Sequence, residues 1–183
     1  MAFAGVLSAL RITKQPLKDQ KILFLGAGEA ALGIADLVVY ALKRTGLSEE
    51  EGRSRCWFVD SGGLVQSNRQ NLTRHKAPYA HPFKEMKDLL DAVKELKPTA
   101  LIGVSGQAST FTQAVVEAMC AHNEQPLIFA LSNPTSKAEC TAEEAYTWVS
   151  LHFSLLFFSL LLLTFDLEMA EQGSRHLLLG QSL

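Results

Sequence analysis

Gly26-Ala27-Gly28-Glu29-Ala30-Ala31 fits the pattern G-x-G-x-x-A, directly after an apolar run and at the opening of a helical one. In that context each small residue has a physical task. Gly26 permits a tight turn, and Gly28 lets the backbone approach a pyrophosphate. Ala31 and Gly33 let the helix lie close to the sheet. The helix N-terminus supplies unpaired N–H groups and the positive end of a dipole to the phosphates. The alternative is that the glycines only shape a strand–helix turn. Asp60 ends a second apolar run, where a carboxylate can accept hydrogen bonds from a ribose hydroxyl. It lies further from the glycines than the usual twenty or so residues, a gap filled by a long helix and the charged stretch Ser48–Arg55. The alternative for Asp60 is a solvated strand end. A 2′-phosphate needs cations and is repelled by Asp60 unless that charge is offset. Ser61, Arg69 and Lys76 are the candidates, each with the alternative of a solvated loop residue. Asn133, in a turn before proline, can hydrogen-bond a carboxamide or carboxylate. By its residue type alone it reads as an Asx turn.

The elements that must position these groups follow from periodicity. Residues 2–12 read as a helix. Lys21–Gly26, Cys56–Asp60, Ala100–Val104 and Leu127–Leu131 are short apolar runs of the kind that form buried parallel strands. Glu29–Leu42, Lys84–Leu96, Phe111–Ala121 and the segment from Thr141 to Trp148 have helical spacing. Gly46 stops the first of these four and Pro98 closes the second. Met86, Leu89, Leu90 and Val93 face inward on the second, Thr110 or Thr112 caps the third, and Thr141 caps the fourth. Residues 64–83 read as irregular. Strands alternating with helices predict an α/β, Rossmann-like, doubly wound parallel sheet. Ligands bind such sheets at the carboxyl ends of the strands. Here those ends are Gly26-Ala27-Gly28, Asp60-Ser61, Ser105-Gly106 and Ser132-Asn133.

The 183 residues suffice for one domain, and 48% hydrophobic with 20% charged residues is an ordinary globular balance. A net charge of −2 gives no basic field for nucleic acid. Cys56, Cys120 and Cys140 show neither zinc nor disulfide spacing, which points to a reducing compartment. Cys56 and Cys120 read as buried small apolar residues. His75, His81, His122, His152 and His176 have no partner at ligand or triad spacing and read as surface residues. Glu49, Glu50 and Glu51 read as a charge run on a solvated loop. No targeting signal is recognised, because the apolar start precedes its basic residues rather than following them.

The segments ILFLGAGEAALGIADLVV, WFVDSGGLV, KPTALIGVSG and IFALSNPTSKAECTAEEAYTW resemble, in order and spacing, the NAD(P)-binding domain of malic enzymes. The resemblance covers residues 2–148 and makes 1–148 a partial domain of that type. It implies oxidation of L-malate with NAD or NADP, followed by decarboxylation to pyruvate and CO2 with a divalent metal (Mg or Mn). Carried over by position, Gly26, Gly28, Ala31 and Gly33 hold the pyrophosphate, Asp60 holds the adenine ribose, and Ser105 and Gly106 border the cofactor. Asn133 then faces malate and the nicotinamide. Lys76 lies where NADP-using members place a lysine and, with Ser61, favours NADP. The family's lysine directly after Asp-Ser is Gly62 here, which weakens that preference. The family's catalytic lysine and tyrosine, its malate-holding arginine and its metal carboxylates have no counterparts in these residues. The expectation is therefore a cofactor-binding piece that is inactive alone, cytoplasmic or organellar (plastid or mitochondrion). Association with full-length malic enzyme subunits is a further expected partnership. The alternatives are a non-catalytic dinucleotide-binding or regulatory module, and a tail-anchored membrane product.

Residues 149–183 depart from the family. VSLHFSLLFFSLLLLTF is dense in Leu, Phe and Ser. As a membrane anchor it falls just under the usual length and has few flanking basic residues. The favoured reading is translated intron followed by out-of-frame sequence. Val149 is encoded by GTN, as at a splice donor. The final Gly-Gln-Ser-Leu can be spelled by codons for the family's Ser-Gly-Ser-Pro-Phe, read out of frame.

Overall fold

A computed structural model describes residues 2–70 and 72–152. The tail-anchor and translated-intron readings concern a segment that lies, beyond His152, outside the described residues. Helix α1 (Ala2–Thr13) is followed by β1 (Ile22–Leu25), α2 (Glu29–Arg44), α3 (Glu49–Arg53), β2 (Cys56–Asp60) and β3 (Gly63–Leu64). Then come α4 (Leu89–Leu96), β4 (Ala100–Gly103), α5 (Gln113–His122), β5 (Leu127–Ala130) and α6 (Ala142–His152). The sheet order is β3-β2-β1-β4-β5. β1 pairs in parallel with β2 and β4, β4 pairs in parallel with β5, and only β3 is antiparallel. The chain winds from β1 outward to β2, then crosses back to the other side of β1 to make β4. The expected doubly wound sheet is therefore present, and its direction of winding changes between β1 and β4.

Alternation along each strand divides the interior into two cores. Ile22, Phe24, Phe58, Ile102 and Phe129 face α1 and α2, where Val6, Ala31, Ala35, Val38 and Leu42 are buried. Leu23, Val59, Leu101 and Ile128 face the other way, onto Val93, Val116, Met119 and Ala145 of α4, α5 and α6. Cys56, Cys120 and Cys140 are buried within these cores as free thiols. Burial pushes Cys56 up to about 12, with a smaller push from Asp36. No helix among the described residues is long and apolar enough to cross a membrane.

Four local readings change. The Ser48–Arg55 stretch, expected as a charged loop, holds α3, because Ser48 and Glu51 form a capping box. Ser48 Oγ accepts from the Glu51 N–H at 3.1 Å, and Glu51 accepts from the Ser48 N–H at 2.7 Å. Residues 64–83 are less irregular than their composition suggests. They begin within β3, and Tyr79 is buried, its ring edge-on to Phe58 at 5.1 Å and its hydroxyl donating to Asp36 at 2.5 Å. Helix α4 starts at Leu89 rather than Lys84. The Met86 carbonyl already accepts from the Leu64 N–H at 2.7 Å, outside β3, and Asp88 caps the helix by accepting from the Leu90 N–H. Helix α5 starts after Thr112, which sits at the N-cap in extended backbone (φ −72°, ψ 164°) without a side-chain bond to the helix; the Phe111 N–H before it donates to the Glu139 carbonyl at 3.0 Å.

His81 is not a surface residue. Its ring is half-buried, 4.2 Å from the Trp57 ring and within hydrogen-bond distance of the Cys56 carbonyl at 2.8 Å. Burial lowers its pKa. His75 and His122 are exposed as expected.

Leu101 is fully buried in the second core. Leu101→Ala is expected to destabilise the domain by about 3 kcal/mol through lost transfer energy and a residual cavity, read as a lower urea midpoint.

Candidate functional site

The change of winding brings the ends of β1 and β4 together. Gly26 has φ +107°, and a Cβ there would lie 2.7 Å from the Val104 carbonyl oxygen. A side chain is excluded both by the backbone conformation and by the neighbouring strand. Two residues later Gly28 occupies the N-cap of α2 and offers no side-chain cap to the helix. Gly28 is exposed, and a Cβ there would meet nothing within 4 Å. Open space therefore lies over a helix end whose first-turn amides point outward, the geometry that suits a diphosphate. Ala31 is fully buried on the sheet side of α2, as expected. Gly33 is exposed, with open space where its Cβ would be, so it does not bring the helix close to the sheet. Two residues on from Ala31, it has rotated to the outer face.

Asp60 ends β2, one strand away. Lys76 Nζ lies 2.6 Å from Oδ2, Arg69 Nη2 2.7 Å from Oδ1, and the Gly62 N–H donates to Oδ1 at 2.9 Å. Burial alone would raise the Asp60 pKa. The hydrogen bonds from Lys76, Arg69 and Gly62 outweigh it and hold the carboxyl below the ordinary carboxylate range. Two cations around one carboxylate, +2 and −1, leave one net positive charge here. The Arg69 guanidinium lies directly over Gly62, where a Cβ would be 2.0 Å from Nη2. Ser61 is exposed beside them.

On the other side of β1, the loops after β4 and β5 are joined. The Gly106 N–H donates to Ser132 Oγ at 2.8 Å. The Ser105 hydroxyl donates to Glu139 Oε1 at 2.7 Å and accepts from the Gln107 N–H at 3.1 Å. Asn133 is exposed at the tip, before a cis peptide to Pro134. Of the expected residues, Gly26, Gly28, Asp60, Ser105, Gly106 and Asn133 lie at the carboxyl ends of the parallel strands, Lys76 and Ser61 lie around Asp60, and Ala31 and Gly33 lie within α2. The sequence reading placed Arg69 only among possible counter-charges, and it missed Glu139. Nothing in the spacing of Glu139 marks it, since it lies seven residues beyond Ser132 in an irregular stretch. Among the described residues no three His, Cys, Asp or Glu side chains gather as a metal site.

The family described as "Malic enzyme, NAD binding domain" matches residues 1–154. The NADP-dependent malic enzymes of Rattus norvegicus and Homo sapiens are each 56% identical over 146 residues, covering 80% of this chain and 26% of theirs. The enzyme of that name from Vitis vinifera is 55% identical over 150 residues, 81% of this chain and 25% of its own. The chain thus spans about a quarter of the length of these relatives. The malic enzyme structure from Entamoeba histolytica superposes with a TM-score of 0.65 at 21% identity, covering 80% of this chain and 29% of that one. The NAD-dependent malic enzyme structure from Thermotoga maritima gives 0.60 at 25% identity, covering 80% and 36%.

Asp60→Asn is expected to destabilise the chain by about 2 kcal/mol at pH 7, because two cations lose a charged acceptor. The folded pKa of Asp60 is depressed, so its contribution is complete above the unfolded value of about 3.9 and fades as pH falls through the folded value. Urea midpoints of the two proteins should therefore converge in acid.

Proposed function

The chain belongs to the malic enzyme NAD-binding domain family, and we propose that it binds a nicotinamide dinucleotide across the β1–β4 boundary with a preference for NADP. The observation that carries this reading is the open, uncapped start of α2, flanked by a ribose-side carboxylate that carries an excess of positive charge. Gly26 and Gly28 let the pyrophosphate approach the α2 amides, and Ala31 seats that helix on the sheet. Asp60 accepts from the adenine ribose. A 2′-phosphate draws on Arg69, Lys76 and the Ser61 hydroxyl. Lys and Arg are long enough to divide their hydrogen bonds between Asp60 and a phosphate. Arg69, folded over Gly62, brings a cation to the place where the family's usual lysine is missing. The nicotinamide half then extends over Ser105, Gly106 and Asn133, with Asn133 also facing L-malate.

The reaction proposed for the complete protein is oxidative decarboxylation of malate to pyruvate and CO2, with NAD(P) accepting the hydride. The residues described here would hold and orient the cofactor. They offer no three-ligand site for Mg or Mn, and no step is assigned to a metal on this chain. For the 183 residues by themselves the proposal is binding without turnover, with association with full-length subunits as the route by which they would meet a complete active site.

Fluorescence titration with NADPH and NADH tests the cofactor reading. The chain is expected to bind NADPH the more tightly. Arg69→Ala and Lys76→Ala should each weaken NADPH by about tenfold, the equivalent of one charge-assisted hydrogen bond, and leave NADH within about twofold. Equal affinities, unmoved by either substitution, would overturn the NADP preference. Malate-dependent NADPH formation by the pure chain would contradict binding without turnover.

A further inference from the structure

Glu139 is fully buried, and it is the only acidic or basic side chain buried to that degree among the described residues. Among those residues it forms no ion pair with Lys, Arg or His. Its hydrogen-bond donors come instead from the two loops beyond β4 and β5. Oε1 accepts from the Ser105 N–H at 2.9 Å, the Ser105 hydroxyl at 2.7 Å and the Ser132 hydroxyl at 2.5 Å. Oε2 accepts a long contact from the Ser132 N–H at 3.4 Å. The Glu139 backbone carbonyl takes the Phe111 N–H at 3.0 Å, which fixes the far end of the first loop. The strand beneath makes room for this side chain. At Gly103, the last residue of β4, a Cβ would fall 2.4 Å from Glu139 Cδ.

A buried carboxylate is costly unless its oxygens are hydrogen-bonded. Here the bonds come from the two loops that follow β4 and β5, which are also joined further along by the Ser109 N–H donating to the Ala138 carbonyl at 3.2 Å. A further bond, Gly106 N–H to Ser132 Oγ, links the two loops directly. We propose that Glu139 is a positioning residue for dinucleotide binding. It sets the spacing of the Ser105–Gly106 and Ser132–Asn133 loops so that the nicotinamide half of the cofactor meets a preformed edge. The inference rests on the cofactor reading above. With the adenine ribose at Asp60 and the pyrophosphate at α2, the only strand ends left for the other half are those of β4 and β5. Glu139 itself lies beneath that edge and acts through the serines.

The test compares the full chain with Glu139→Gln, Glu139→Leu and Ser132→Ala by amide hydrogen exchange and by ligand titration. Without ligand, Glu139→Leu and Ser132→Ala should raise exchange at residues 105–107, and Glu139→Leu also at 132–133, with β1 and β2 unchanged. Glu139→Leu should weaken NADPH at least tenfold. It should leave adenosine 2′,5′-bisphosphate, which lacks the nicotinamide half, within twofold. Glu139→Gln keeps an acceptor at Oε1 and should restore NADPH to within about threefold of the parent. Unchanged exchange in both loops, equal losses for the two ligands, or no rescue by Glu139→Gln would each overturn the proposal. If Glu139→Leu does not fold, Ser132→Ala carries the exchange measurement and Glu139→Gln the titration. Failure of the parent chain to bind NADPH would sink the cofactor reading, and with it the binding role assigned to Glu139. Exchange would then report only whether Glu139 holds the loops together.

Discussion

The site depends on how closely β1 and β4 end beside each other. A parallel sheet wound in two directions must open a crevice where the winding changes. Here the two strands stay within backbone contact up to their last residues, so the chain leaving β1 has room only for glycine at position 26. That turn aims the start of α2 across the strand ends. It also fixes what each neighbour can contribute: β2 brings a carboxylate to one side of the helix start, and β4 and β5 bring serines and amides to the other.

The two sides hold their carboxylates by different physics. Asp60 is met by the long side chains of Arg69 and Lys76. Such groups can redistribute toward a second anion without the backbone moving. Glu139 is met by short hydroxyls and main-chain amides, which cannot move without carrying their loops along. The Asp60 side is thus adaptable and the Glu139 side fixed. A cofactor whose two halves differ in charge and shape is suited to that division.

The parallel strands were legible in sequence because each is a short apolar run ending at a small or polar residue, buried on both faces. Helices α2 and α6 were legible for the same kind of reason, since their apolar spacing and first-turn chemistry agree. Thr141 and Glu144 form the reciprocal cap that their types suggest, with N–H to side-chain distances of 3.1 and 2.8 Å. Reading failed where a distant backbone group decided the outcome. Helix α4 looked longer because Met86 fits its apolar face, but the Met86 carbonyl is committed to Leu64. Helix α3 was read as a solvated loop because its glutamates dominated, although Ser48 three residues before Glu51 is a capping box in plain sight. In the site, glycines and Asp60 stood out because strand ends select them. Glu139 did not, because its role exists only once two loops 27 residues apart are folded together (Ser105 to Ser132). Gly33, two residues beyond the motif, misled because small size alone does not say which face of the helix a residue occupies.

The antiparallel strand β3 gives the sheet unequal sides. Its outward N–H at Leu64 is already bonded to Met86, and a further bridge joins Gln66 to His81. That margin is closed by the chain's own following segment, which returns parallel at Gln66 and His81. Extra residues between 66 and 81 would only lengthen this closed margin and leave the number of strands alone. A change in strand number has to be written at the opposite margin, beside β5, where the serine and asparagine loops lie.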